Sequence, residues 1–144
     1  MELLKEKFRV KAEAAGLEIK EIIKTHGTKK VGEVTLAQVY QGMRGITGLV
    51  TETSLLDAQE GIRFRGYSIP ELQATLPKAP GGGEPLPEGL FHLMLLGELP
   101  NQEDAENITN IWQRRSHVPN HVFATIDALP ITTHPMTMFV TGVM

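Results

Sequence analysis

Apolar residues recur at helical spacing at both ends of the chain. Near the start they follow one face at intervals of three and four, at Leu4, Phe8, Ala12, Ala15, Ile19 and Ile22. This pattern predicts a long surface helix over residues 2–26, ended by HGTKK. At the far end, Pro135 precedes a similar stripe formed by Met136, Phe139, Val140 and Val143. No stop signal follows this second predicted helix, so we expect the sequence to stop inside it.

The pattern changes between residues 32 and 66 to glycine-punctuated runs of β-branched residues, namely VGEVTL, GLVTETSLL and GIRFRG. Such runs predict one small antiparallel β-hairpin. Its turn would be DAQEG, in which Asp57 accepts hydrogen bonds within its own loop and Gly61 provides a positive φ.

The region 68–144 carries helical patterns separated by turns. Ser68 is placed to open a short helix with Pro70 in its first turn. The loop PKAPGGGEPLPEG follows, and then LFHLMLLG predicts a helix buried on most sides between Pro87 and Gly97.

A surface helix over 101–115 is predicted next, with Asn101 as its cap. Its inward-facing residues are predicted to be Ala105, Ile108 and Trp112. Another short helix starts at Pro119. The predicted fold class is therefore mainly α, with one small antiparallel hairpin.

Composition narrows the possible functions. The chain has 144 residues, 41% of them hydrophobic and 22% charged, as in ordinary soluble globular proteins. Its net charge is −3, and the excess of basic residues is confined to residues 1–30, so nucleic acid is not expected as a ligand. No apolar run reaches the roughly 20 residues of a membrane span. Without cysteine, thiolate nucleophiles and Cys-bound zinc are excluded. The start lacks a secretory or transit signal, so any organelle targeting segment would have been removed.

Five histidines raise the question of a metal ion or a general base. His117 and His121 have the spacing of zinc ligands, but Pro119 between them argues against a shared helix face, and no metal site is predicted. His92 is interpreted as a neutral, hydrogen-bonded core or interface residue, and His26 as a helix-terminal one. His134 could act as a base with Asp127, although a structural use before Pro135 is favoured.

Three arginines are candidates for anion binding. In GMRGITG, residues 42–48, Arg44 presents a fork of donors suited to phosphate, and the flanking glycines permit close backbone approach. The alternative is a glycine-rich turn with a surface arginine. Arg63 and Arg65 would share one face of the second strand, opposite Ile62 and Phe64. They could clamp an anion, but pairing with the nearby acids Glu52, Asp57 and Glu60 is favoured.

The stretch GMRGITGLVTETSLLDAQEGIRFRGYSIPE, residues 42–71, closely resembles the corresponding stretch of eukaryotic, mitochondrial-type citrate synthases. The resemblance continues through LPKA, EPLPEGL and HPMT, and covers essentially the whole chain. Departures are Gln41 for a usual glycine, His92 for a common aromatic residue and Met138 for an expected glutamine. None of these falls on a residue that the family uses for catalysis.

This resemblance implies that residues 1–144 form the N-terminal part of the large helical domain of a homodimeric citrate synthase. The complete enzyme condenses acetyl-CoA with oxaloacetate and water to give citrate and CoA in the mitochondrial matrix. It uses CoA as substrate and product, with no covalently bound cofactor and no metal. By resemblance, the catalytic histidines and aspartate lie downstream, so this chain contributes no catalytic residue and is expected to be inactive alone. Its expected partner is a second copy of the chain or a complementary chain. Neither nucleic acid nor a membrane is expected as a partner.

One functional residue carries over from the resemblance. Arg44 matches the arginine of the family's GMRG segment, which contacts CoA phosphates, and Gly42 and Gly45 would then permit that close approach. The alternative interpretation is a non-catalytic relative that keeps an interaction surface and acts structurally or as a partner.

Overall fold

The computed structural model describes residues 2–144, except for the side chain of Glu2. Its helices are α1 (Glu2–His26), α2 (Leu36–Tyr40), α3 (Ile69–Thr75), α4 (Pro87–Leu96), α5 (Gln102–Arg115), α6 (Asn120–Asp127) and α7 (Pro135–Val143). Its strands are β1 (Ser54–Asp57), β2 (Gly61–Phe64) and β3 (Tyr67–Ser68). The mainly α fold class is thereby confirmed. Contacts divide the chain into two units, one ending at Thr109 and the other comprising Asn110–Met144.

The three strands form one antiparallel sheet in the order β1-β2-β3. The predicted hairpin is confirmed: Asp57 Oδ1 accepts hydrogen bonds from the backbone N–H groups of Gln59 and Glu60, and Gly61 has φ 87°. These bonds lower the pKa of the Asp57 carboxyl, the bond from Glu60 most strongly. Strand β3 was not predicted, because two residues are too short to show an alternating pattern. The β pattern of VGEVTL is wrong, because this run forms no strand and the capping box at Thr35 instead starts α2, a helix that was not predicted.

The core of the first unit lies where α3 and α4 meet the sheet. It contains the buried leucines Leu72, Leu76 and Leu93, and Phe64, Tyr67 and Leu90 pack against them. Ser68 begins α3 with a capping box, in which its side chain and that of Glu71 bond each other's backbone N–H groups. Gly97 ends α4 in the left-handed conformation, with φ 74°. Both ends of the predicted α4 are confirmed.

Helix α5 begins where its sequence predicts. Asn101 Oδ1 accepts a hydrogen bond of 2.8 Å from the N–H of Asp104, and Ala105 and Ile108 are buried. The prediction that Trp112 also points inward is wrong, since this side chain is 39% exposed. The reason is that Trp112 lies about one turn beyond Ile108, which is the last buried residue of α5.

The first half of helix α1 forms ion pairs with the rest of the first unit. Lys7 Nζ lies 3.1 Å from Asp104 Oδ1, and Lys11 Nζ donates to a carboxylate oxygen of Glu98. The apolar stripe of α1 is only partly covered: Phe8 is 45% exposed, and Ile22, on the second half, 52%. The described part of α1 is therefore held by two ion pairs in addition to apolar contact.

These ion pairs make the packing of α1 sensitive to acid. The hydrogen bond from Lys11 lowers the pKa of Glu98 below its ordinary 4.5. Burial raises the pKa of Asp104, but hydrogen bonds from Lys7 and from the N–H of Asn101 outweigh it, leaving the pKa below 3.8. Because both folded-state pKa values are lowered, the stabilisation is present above the ordinary values and is lost as the pH falls through the folded ones.

We therefore expect the amide protection of α1 against hydrogen exchange, corrected for intrinsic rates, to hold down to about pH 5 and to fall below about pH 4. The double variant Glu98→Gln, Asp104→Asn should show lower protection at pH 5 and no such fall. An acid-induced fall of equal size in the double variant would contradict this assignment.

The second unit contains the helix pair α6 and α7. A Cβ at Gly142 would lie 3.0 Å from Ile126 Cδ1, so glycine permits the close approach of the two helices. His134 caps α7, its ring Nδ1 accepting a 3.1 Å hydrogen bond from the N–H of Met136. Both predicted helices are confirmed, but Phe123 and Phe139 remain more than half exposed. Among residues 2–144, no helix is both long and apolar enough to cross a membrane.

Candidate functional site

Arg44 lies in a tight turn that follows α2. A capping box between Thr35 and Gln38 fixes the start of α2, and the Gln38 carbonyl accepts a 2.8 Å hydrogen bond from the N–H of Met43. The backbone is left-handed at Gly42, Met43 and Gly45, with φ of 75°, 61° and 74°. Two of these three residues are glycine, which adopts this conformation without steric cost. The turn therefore presents Arg44 between two reversals of the chain.

The guanidinium of Arg44 is exposed and has no ion pair or hydrogen bond within residues 2–144, although the backbone carbonyl of Arg44 accepts from Gln38 Nε2 at 3.5 Å. Its five N–H donors are therefore available to a planar or tetrahedral anion. This availability distinguishes Arg44 from Arg63 and Arg65, which are both occupied.

Arg63 pairs with Glu60 at 3.0 Å and also donates to the Gly66 carbonyl at 3.0 Å. Arg65 donates twice to the Met94 carbonyl, from Nε at 3.3 Å and from Nη2 at 2.9 Å, and lies 3.5 Å from Glu52. The predicted structural pairing is confirmed. The prediction that both arginines share a strand face is wrong, because Arg65 lies beyond β2 with φ 49° and no longer follows the strand alternation.

A cleft of about 200 Å³ adjoins the Arg44 turn. It is lined by Val31, Gly32, Glu33, Val34, Gly45, Ile46 and Thr47. Pockets for drug-sized ligands usually hold about 300–1,000 Å³. Glu33 adds a carboxylate that would repel an anion. This part of the chain thus provides one exposed guanidinium beside a small cleft rather than a complete ligand pocket.

The histidines are distributed over separate elements. His26 ends α1 as predicted, His117 lies outside any helix, and His121 lies in α6. His134 is engaged in capping α7, which confirms its structural use. No group of three or more potential metal ligands occurs among the described residues.

His92 is 3% exposed, and its Nδ1 lies 3.1 Å from the Glu98 carbonyl oxygen. The predicted core position with a hydrogen bond is confirmed. The sequence did not indicate its second neighbour: Nε2 lies 3.9 Å from Asp104 Oδ1 and has no hydrogen-bond partner. No sequence pattern relates His92 to Asp104 and Lys7, because the three residues come from different helices.

The sequence model of the family described as "Citrate synthase, C-terminal domain" matches residues 42–144, which include the Arg44 turn. The chain belongs to the citrate synthase family. The family description names a C-terminal domain, and the assignment of residues 1–144 to the N-terminal part of the large domain stays a prediction.

Curated relatives include several mitochondrial citrate synthases. The protein of Daucus carota is 56% identical over 126 residues, which cover 88% of this chain and 27% of the relative. That of Aspergillus niger is 52% identical over 136 residues, or 94% of this chain and 29% of the relative. That of Xiphias gladius is 51% identical over 121 residues, which cover 84% of this chain and 26% of the relative. The chain thus spans less than a third of the length of these citrate synthases.

Proposed function

We propose that this chain takes part in citrate synthesis as part of a complete citrate synthase, which condenses acetyl-CoA with oxaloacetate and water to give citrate and CoA. The observation that carries the proposal is the family match over residues 42–144, together with the 52% identity to the Aspergillus niger citrate synthase over 94% of the chain. Identity of this extent over several helices and the sheet is what a shared enzyme scaffold requires.

Within that enzyme, Arg44 binds phosphate groups of CoA. Its exposed guanidinium has no partner within residues 2–144, and the two left-handed glycines on either side leave room for a ligand to approach the backbone. Oxaloacetate and the reacting acetyl group are bound elsewhere, because the Arg44 turn offers no second cation and its cleft holds only about 200 Å³.

The remaining chemistry belongs to the complete enzyme. The two histidines and the aspartate that the resemblance assigns to catalysis are supplied downstream, and the active form is a homodimer or a complex with a complementary chain. No metal and no covalently bound cofactor takes part. The relatives are named as mitochondrial, and we place this protein in the mitochondrial matrix with them.

A chimeric enzyme tests this proposal directly. The 136 matched residues of the Aspergillus niger citrate synthase are replaced by the corresponding residues of this chain. We expect oxaloacetate-dependent release of the CoA thiol from acetyl-CoA, measured with a thiol reagent, and no release from the 144-residue chain alone. A chimera that folds like the unmodified relative but releases no thiol would contradict the proposal.

Arg44→Ala in this chimera should raise the KM for acetyl-CoA about tenfold, since a hydrogen bond to a charged group is worth about 1.5–3 kcal/mol before salt screening. The KM for oxaloacetate should remain unchanged. Arg115→Ala is the matched control, because Arg115 is also an exposed arginine without a recorded ion pair in the described chain. Equal effects of the two substitutions on the KM for acetyl-CoA would refute the assignment of Arg44.

A further inference from the structure

Gln38 is the half-buried residue of α2. The other four residues of this helix are exposed, and they include the large side chains of Leu36 and Tyr40. A glutamine that is more buried than its apolar neighbours is expected to be held there by hydrogen bonds rather than by apolar packing. The hydrogen bonds of Gln38 therefore show which parts of the chain this side chain connects.

The contacts with Thr35 determine which way the side-chain amide of Gln38 points. Gln38 Oε1 accepts hydrogen bonds from the Thr35 N–H group at 3.0 Å and from the Thr35 hydroxyl at 3.1 Å. Because a backbone N–H group can only donate, the amide atom that faces it must be the oxygen. The amide nitrogen Nε2 consequently faces the turn that follows α2, where it donates a long hydrogen bond of 3.5 Å to the Arg44 carbonyl oxygen.

Gln38 also contacts the residues on either side of Arg44. Its backbone carbonyl accepts a 2.8 Å hydrogen bond from the N–H group of Met43. Met43 has φ 61°, a conformation that a residue with a Cβ keeps only where its surroundings hold it. A Cβ on Gly45 would lie 3.9 Å from Gln38 Nε2. One residue of α2 thus holds the turn both before and after Arg44.

We propose that Gln38 is a positioning residue, which fixes the backbone of Arg44 so that its guanidinium is presented to the phosphate groups of CoA. The inference rests on the proposed function of Arg44 and adds the group that orients it. The guanidinium of Arg44 has no partner within residues 2–144, so its place in the free protein is set by the backbone that carries it. A backbone held in place loses less conformational freedom when the ligand binds, which strengthens binding.

Gln38→Glu tests this role while preserving the start of α2. A glutamate still accepts from the Thr35 N–H group, as in the usual capping box, but its carboxylate cannot donate to the Arg44 carbonyl. In the chimeric enzyme described above, this substitution should raise the KM for acetyl-CoA about threefold, within the range of one neutral hydrogen bond. The kcat and the KM for oxaloacetate should remain unchanged. Gln41→Glu is the matched control, because it adds the same charge near Arg44 and leaves the Gln38 contacts intact.

A double variant separates positioning from a general effect of charge. If Gln38 acts through Arg44, Gln38→Glu should cause no further rise in the KM for acetyl-CoA once Arg44→Ala is present. An equal rise in both backgrounds, or a rise of the same size in Gln41→Glu, would overturn the positioning role and leave the CoA contact of Arg44 standing. No effect of Arg44→Ala itself would refute the proposed CoA contact and this inference with it.

The backbone of the turn can also be measured without CoA. In the 144-residue chain, ¹⁵N relaxation should give lower order parameters for the amides of Arg44 and Gly45 in Gln38→Glu than in the unsubstituted chain. Gln41→Glu should leave these order parameters unchanged. Order parameters that do not fall in Gln38→Glu would overturn the proposal, whatever the kinetic result.

Discussion

Replacement of Leu93 by alanine is expected to lower the free energy of unfolding of the first unit by about 2–5 kcal/mol. Leu93 is fully buried on α4 and belongs to the cluster with Leu72 and Leu76, where helices meet the sheet. Truncation removes apolar contacts and leaves a cavity that closely packed neighbours fill only in part. Urea denaturation followed by circular dichroism measures the loss, with amide exchange in α3 and α4 locating it.

Leu55→Ala serves as the matched control for this substitution. Leu55 lies in β1 and is 66% exposed, so the same change in side chain removes little buried area. We expect a loss within about 0.5 kcal/mol. Similar losses for Leu93→Ala and Leu55→Ala would show that the first unit lacks the core described above.

The second large effect concerns Arg65, for which we expect Arg65→Ala to cost about 1.5–3 kcal/mol of stability. The Arg65 side chain is 22% exposed and donates two hydrogen bonds to the Met94 carbonyl of α4. Its removal therefore breaks a polar contact between α4 and the residue that follows β2. Arg63→Ala should cost less than Arg65→Ala, because the Arg63 side chain is 37% exposed and its hydrogen-bond partners, Glu60 and the Gly66 carbonyl, lie only three residues away in sequence.

The same urea denaturation distinguishes the two arginines. Arg65→Lys should recover only part of the stability, because an ammonium group cannot reproduce the two donors of a guanidinium in fixed geometry. A cost for Arg63→Ala equal to or larger than that for Arg65→Ala would contradict the structural ranking.

Local sequence signals predicted most of the helices and the hairpin. The spacing of apolar residues predicted the range of α1. Helix ends were predicted to within one or two positions from the caps Ser68 and Asn101 and from Gly97, which adopts the left-handed conformation. Each of these signals acts between residues close in sequence, so the backbone conformation that it favours is visible without the fold.

Predictions that depended on distant contacts were less complete. The exposure of Trp112 and the 3.9 Å distance between His92 Nε2 and Asp104 Oδ1 depend on which helices pack together, and no local pattern encodes that. The prediction that Arg63 and Arg65 share a strand face failed for a different reason, since the left-handed backbone at Arg65 ends the alternation of side chains along the strand. Arg44 was found from its glycine-rich context, but its role in CoA binding comes from resemblance and stays a proposal.

The ion pairs that hold α1 also have a consequence for the order of folding. The Lys7–Asp104 contact joins residues 97 positions apart, whereas the outermost hairpin pair, Ser54 and Phe64, is only 10 apart. Since each doubling of loop length costs about 0.6 kcal/mol of closure entropy, the longer loop costs roughly 2 kcal/mol more. Formation of the α1 ion pairs is thus expected to be favourable in free energy only after α4 and α5 have packed together. We therefore expect the first helix in the sequence to be among the last elements of its unit to reach its final position.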